Sequence, residues 1–215
     1  LEFRRVLFRS PPEMVRWNLH KSYLIELQNA GVPVVPTRLL KKGIDTGEFD
    51  RQLDDLNCER FVIKPAVSAG SWLTHFFANG EVGKAREFIQ EHGSERDWLL
   101  QPFIKSVEEG GERANVYLGG EWSHCVVKSP RFIGQEESVE VGGAVLSEDR
   151  IIGQKAFDCA PGEPIYGRVD TVRDEKGDPL VAELELIEPS LFLLQYPSAR
   201  ALFADACLRA LRSRG

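Results

Sequence analysis

The 215-residue chain is 42 % hydrophobic and 28 % charged with a formal net charge of −6, an ordinary balance for a globular chain able to bury a core. The acidic excess argues against generic nucleic-acid binding, which leaves a basic footprint. No apolar run approaches the ~20 residues that span a bilayer, so neither nucleic acid nor membrane is an expected partner. Cys58, Cys125, Cys159 and Cys207 are scattered with no C-x-x-C pair, which fits free thiols in a reducing cytoplasm better than a disulfide framework.

Residues 1–10 are basic and apolar in an acidic chain, without a starting Met or the apolar stretch of a secretory signal. They are read, with residue 11, as a non-native or disordered head, and the chain as a fragment lacking its N-terminal part. Asn18 is placed to cap a helix through Tyr23, Leu24 and Leu27 that stops at Gly31. Segment 32–37 carries Pro33 and Pro36 and reads as an edge strand or a connector. A helix is expected over 46–56. A strand over 61–63 runs into Lys64-Pro65, then a loop of small residues, 66–71, and a strand over 72–77. Helix 83–92 and strand 98–104 follow, then a turn at 108–111. Strands 114–118 and 122–127 form a hairpin through Gly119-Gly120, and 131–144 reads as a mobile, glycine-containing active-site segment. Strands 165–172 and 180–187 make a second hairpin. Ser198 caps a closing helix with Phe203, Ala206, Cys207, Ala210 and Leu211 on one face. Hairpins mixed with separate helices predict an α+β fold with mainly antiparallel sheet.

The second hairpin concentrates charge. Period two puts Glu183 and Glu185 on the face opposite Leu184 and Leu186, and puts Arg168, Asp170 and Val172 on one face of the preceding strand. A four-residue loop over 175–178 would set Asp174 opposite Pro179, hence Asp170 opposite Glu183 and Arg168 opposite Glu185. Opposed carboxylates repel, so the face needs cations. Arg168 is one, and a hard divalent ion such as Mg2+ is the natural second. A solvated acidic face is the commoner origin of two alternating glutamates, but it gives no reason to gather the Arg-x-Asp beside them.

Two lysines point to an anion. Lys64 ends an apolar strand just before the small-residue loop, whose backbone N–H groups can approach phosphate oxygens closely. Lys21 falls in the first turn of the expected helix, where a cation opposes the helix dipole unless an anion lodges there. The alternative for each is a solvent-exposed lysine. His124 reads as a packed side chain ahead of a substrate contact.

The ordered set Asn18-x-x-Lys21, Phe61-Val-Ile-Lys64-Pro65 with its Ser-Ala-Gly-Ser loop, Leu100-Gln-Pro-Phe-Ile104, Gly167-Arg-Val-Asp170 and Glu183-Leu-Glu185 resembles the ATP-grasp superfamily. Within it the chain is similar to the glutathione-synthetase and RimK-like ligases, near the cycloserine-forming cyclo-ligase group. The resemblance implies two subdomains, 12–104 and 105–215, with mainly antiparallel sheets sandwiching ATP. It implies an ATP- and Mg2+-dependent ligase that joins a small-molecule carboxylate to an amine through an acyl phosphate; a homo-oligomer is left open. Lys21 and Lys64 would hold the phosphates, and Ser68, Ala69, Gly70 and Ser71 would fold over them. Gln101, Phe103 and Ile104 would line the adenine site with main-chain groups. Glu112, ahead of Glu109, would bind the ribose. Asp170, Glu183 and Glu185 match the metal ligands, Glu185 standing where many relatives carry Asn, and Arg168 matches the arginine that steadies the phosphoryl group. Two departures stand out. The usual N-terminal domain is absent before residue 12, so a nucleotide-binding module without turnover is the alternative. The family's Phe-Arg-Val stretch is also absent after Lys128-Ser-Pro130, which leaves the substrate arginine unassigned, with Arg131 one candidate for it.

Overall fold

The computed structural model describes residues 11–68, 72–129, 139–141 and 146–212. Its helices are α1 (Pro12–Leu19), α2 (Tyr23–Asn29), α3 (Thr46–Leu56), α4 (Val82–His92), α5 (Ser106–Gly110), α6 (Ser147–Asp158) and α7 (Ala199–Arg212). Its strands are β1 (Arg38–Leu40), β2 (Phe61–Pro65), β3 (His75–Phe77), β4 (Trp98–Pro102), β5 (Glu112–Leu118), β6 (Glu121–Lys128), β7 (Val139–Val141), β8 (Tyr166–Arg173) and β9 (Pro179–Glu185). Among the described residues these elements fall into two compact units, one within 20–29 and 34–103, the other within 11–19, 30–33 and 104–212. No helix among the described residues is long and apolar enough to cross a membrane.

In the first unit a four-stranded antiparallel sheet has the order β1-β4-β2-β3. Strand alternation sets its core: Phe61, Ile63 and Pro65 of β2 are buried, while Val62 and Lys64 lie half-buried between them. Phe49 and Leu53 of α3 and Ala85, Phe88 and Ile89 of α4 supply the helical side of the same core, with Leu40, Phe77 and Trp98. Asp45 caps α3 by accepting from the Glu48 N–H at 2.8 Å, and Asn57 ends it in the left-handed region at φ 49°.

The second unit is built on a five-stranded antiparallel sheet of order β7-β6-β5-β8-β9. Helix α6 packs on β8 and β9, and α7 on β5. At Gly167 a Cβ would sit 2.6 Å from Phe157 Cε2 and 2.7 Å from Leu186 Cδ2, so only glycine admits this close packing beside Arg168.

Several expectations are corrected. Asn18 does not cap the helix through Tyr23. It lies inside α1, which ends at Leu19, and α2 starts separately at Tyr23. Its buried carboxamide binds backbone at Leu184 of β9 and at Leu186 just past its end instead of helix N–H groups. The strand over 72–77 shortens to His75–Phe77, and the 108–111 turn is the end of α5. Neither β1 nor α6 was anticipated. Within 131–144, Val139–Val141 pairs with β6, and residues 131–138 and 142–144 lie outside the described residues. Leu211 is 44 % exposed and does not share the buried face of α7.

The acidic hairpin has the expected facing pairs by a different route. Asp174 N–H donates to Asp178 O at 3.0 Å, which closes a loop one residue shorter than expected, with Gly177 at φ 87°. Arg173 therefore pairs with Pro179, and Thr171 with Val181. A bulge between Asp170 and Thr171 then takes up Ala182 and restores Asp170↔Glu183 and Arg168↔Glu185. The bulge also puts Val181 in the core with Leu184, where uninterrupted alternation had placed it on the acidic face.

Candidate functional site

On the face of the second unit's sheet that Asp170 shares, six charged groups meet: Glu112 on β5, Lys128 on β6, Arg168 and Asp170 on β8, and Glu183 and Glu185 on β9. Asp170 is the hub and is only 1 % exposed. Its Oδ1 accepts from Arg168 Nε at 2.8 Å; its Oδ2 accepts from Arg168 Nη2 at 3.0 Å and from Lys128 Nζ at 2.6 Å. Lys128 Nζ also lies 2.8 Å from Glu112 Oε2, and Arg168 Nη2 donates to Glu185 Oε1. The Arg168 guanidinium stands 5.8 Å from the ring centre of Phe192.

The electrostatics follow from burial and charge. Burial alone would raise the Asp170 carboxyl, but Lys128 and Arg168 outweigh it and hold the group below its ordinary value. Burial opposes the charged forms of Lys128 and Arg168, yet Asp170 keeps both above theirs. Burial pushes the Glu185 carboxyl up to about 7; Asp170 and Glu183 add to this, and Arg168 and Lys128 oppose it.

Asp170, Glu183 and Glu185 each offer one carboxylate oxygen within 4.8 Å of the others. This is a hard-oxygen donor set of the kind Mg2+ takes. The residues present fit such an ion.

The first unit holds the phosphate candidates. Lys21 is not in the first turn of a helix: it precedes α2, so the dipole argument does not apply to it. Instead its main-chain N–H donates to Ala66 O at 2.7 Å, and its Nζ donates to Ser68 O at 2.9 Å and lies 3.3 Å from Ser68 Oγ. The lysine thus touches the start of the small-residue loop. Ala69, Gly70, Ser71 and Arg131 lie outside the described residues. Lys64 is half-buried on the face of β2 opposite the core. Gln101 is buried, and its Nε2 donates to Thr37 Oγ1 at 2.8 Å. The Phe103 N–H donates to Arg60 O at 2.8 Å, so that amide is engaged within the protein. Ile104, in the second unit, accepts from the Val107 N–H at 3.2 Å. Glu112 bonds Lys128, whereas Glu109 makes an exposed pair with Lys105 at 3.1 Å. His124 is buried, bonds Leu191 O at 2.9 Å and Ser123 Oγ at 2.9 Å, and stacks on Tyr196.

Lys128 is the residue that sequence reasoning left without a role. Its signal was faint: an amine at the end of a strand, on the same alternation as buried Val126 and His124.

No family model matches the chain. It is similar to the cycloserine biosynthesis protein DcsG of Streptomyces lavendulae, with 28 % identity over 94 % of this chain and 73 % of that protein. Among solved structures, D-cycloserine synthetase DcsG aligns with a TM-score of 0.82 at 26 % identity, covering 93 % of this chain and 73 % of that one. D-alanine–D-alanine ligase from Bacillus anthracis complexed with ATP aligns with a TM-score of 0.71 at 17 % identity, covering 96 % and 71 %, a likeness of fold.

Proposed function

We propose, for a chain that belongs to the ATP-grasp superfamily near its cycloserine-forming group and has the α+β fold of that superfamily, that it is an ATP-dependent ligase forming a C–N bond between a carboxylate and an amine. The observation that carries the reading is the buried cluster of Arg168, Asp170 and Lys128 beside two further carboxylates, Glu183 and Glu185. A merely solvated acidic face would not bury its central carboxylate under two cations.

In the proposed reaction a substrate carboxylate oxygen attacks the γ-phosphorus of ATP. The bond to the β–γ bridging oxygen breaks, which gives an acyl phosphate and ADP. The amine then attacks the acyl carbon, phosphate leaves, and the nitrogen loses a proton. Such transfers depend on positioning and charge stabilisation rather than on a protein nucleophile. Lys21 and Lys64 would pair with phosphate oxygens, with Ser68 beside Lys21. Main-chain groups at Gln101, Phe103 and Ile104 would line the adenine, and Glu112 would bond the ribose. Arg168 presents a planar donor set suited to a transferring phosphoryl group. Asp170, Glu183 and Glu185 would hold Mg2+, which when bound supplies charge neutralisation at the phosphates. In this assignment 12–104 carries the phosphate machinery and 105–215 the metal ligands.

The test is ATP binding by the chain with and without Mg2+, with Lys64→Ala and Glu183→Ala alongside. Native binding that depends on Mg2+ and weakens in both variants is expected. If ATP binds both variants as tightly as native, or does not bind at all, the site is misassigned. ADP release on adding an amino acid and an amine then reports turnover; binding without release makes the chain a nucleotide-binding module.

A further inference from the structure

Asn18 belongs to the motif set, yet the chemistry above gives it no task. Its surroundings supply one. Strand β9 ends the order β7-β6-β5-β8-β9, so among the described residues no strand lies beyond its outward backbone groups. Among the described residues, Pro33 O takes the Val181 N–H at 2.9 Å. Further along, Asn18 Nδ2 donates to Leu184 O at 2.8 Å, and Asn18 Oδ1 accepts from the Leu186 N–H at 2.8 Å. One carboxamide therefore does the work of a peptide group in a neighbouring strand. The two groups it binds lie on either side of Glu185.

Burial makes this bracket strict. Asn18 is 8 % exposed, Leu184 1 % and Leu186 0 %, so water is poorly placed to replace either bond. Met14 and Asn18, four residues apart, are the buried positions of α1, which fixes the carboxamide's place against β9. Glu185 itself faces Arg168 and belongs to the group of three carboxylates.

We propose that Asn18 is a positioning residue for the metal site: by holding the peptide groups on both sides of Glu185, it sets where that carboxylate points. The role rests on the metal reading above. It differs from simple edge protection, which would affect stability and leave cation affinity unchanged. Groups that orient a metal-binding side chain without touching the metal typically contribute about 10–100-fold to metal affinity.

The experiment uses Mn2+ as the probe, titrated into the whole chain by electron paramagnetic resonance, with a non-hydrolysable ATP analogue present and absent. Asn18→Ala removes both bonds. Asn18→Asp keeps the shape and the acceptor for the Leu186 N–H but loses the donor to Leu184 O, and it carries the test if the alanine variant does not fold. Both variants are expected to raise the Mn2+ Kd about 10–100-fold, while affinity for the analogue in chelator stays within about twofold. Asp149→Asn is the stability control. Asp149 accepts from Thr171 and Arg173, on the opposite alternation of β8 from Asp170, and the substitution should lower Tm without moving the Mn2+ Kd. Native-like Mn2+ affinity in Asn18→Ala or Asn18→Asp, whatever their Tm, overturns the proposal. A native chain that takes up no Mn2+ overturns the metal reading itself, and this proposal with it.

Discussion

Replacing Asp170 by Asn probes the centre of the site with little change of shape. The native carboxylate accepts three charge-assisted bonds, two from Arg168 and one from Lys128, and is 1 % exposed. The amide can still accept at one oxygen, but its NH2 must face a cation, guanidinium or ammonium. Removing one partner of a buried ion pair costs about 3–5 kcal/mol when the other is stranded. Here Arg168 keeps Glu185 and Lys128 keeps Glu112, so about 2–3 kcal/mol is expected for the unit that holds them. At ~2–4 °C per kcal/mol for a domain of this size, that is a fall in Tm of roughly 4–12 °C. The assay is thermal and urea unfolding in chelator, followed by a probe in the second unit, because two compact units need not unfold together. The pH response supplies a second reading. Since the folded carboxyl is held below its ordinary value, its contribution is present above a pH of about 3.9 and is lost as pH falls through the depressed value. Asp170→Asn should therefore flatten the acid limb as well as lower Tm. A variant as stable as native, with an unchanged acid limb, would show that the three bonds merely offset their own desolvation and would refute this account of the cluster.

Other outcomes follow from neighbouring groups. With its carboxyl pushed up to about 7, Glu185 must lose a proton to bind a cation, so Mn2+ affinity should rise between roughly pH 6 and 8 and level off above; Glu185→Gln should bind weakly with no such slope. In chelator the same group works the other way: its stabilisation is full below the unfolded carboxyl's pKa, about 4.3, and is lost as pH rises through 7. Burial lowers the His124 pKa, although its bond to Leu191 O opposes this, so the native state resists protonating it. Stability should fall as pH drops below about 6.5, and His124→Gln should reduce that loss in a urea series at several pH values. Asp149→Asn should lower Tm because it weakens the acceptor for Thr171 and Arg173 and leaves Arg173 without its carboxylate, about 1–3 kcal/mol by urea unfolding.

The two facing pairs of the acidic hairpin show how local reasoning can reach a sound answer through unsound steps. Alternation on each strand is a covalent property of the chain, so Glu183 with Glu185, and Arg168 with Asp170, could be grouped from order alone. Register could not be read the same way. The turn closes one residue earlier than its composition suggested, and the bulge at Ala182 compensates; both choices are settled by packing Val181 and Leu184 into the core. For Lys21 the local picture failed: the backbone breaks between α1 and α2, so the lysine answers to Ser68 and Ala66 rather than to a helix end.

What the sequence determined by itself was therefore the set of candidate groups. Most element types, the carboxylate and lysine candidates and the ordered motifs are written in short windows, where periodicity and turn preference act. Only the tertiary structure decided who completes the cluster. Lys128 reaches Asp170 from 42 residues away, across β5, and Asn18 reaches Leu184 from 166 residues away. The reason is physical. Once Asp170 is buried it must be paired, and once β9 is an edge its backbone must be satisfied, but which amine or amide does so depends on where the whole chain brings its strands together.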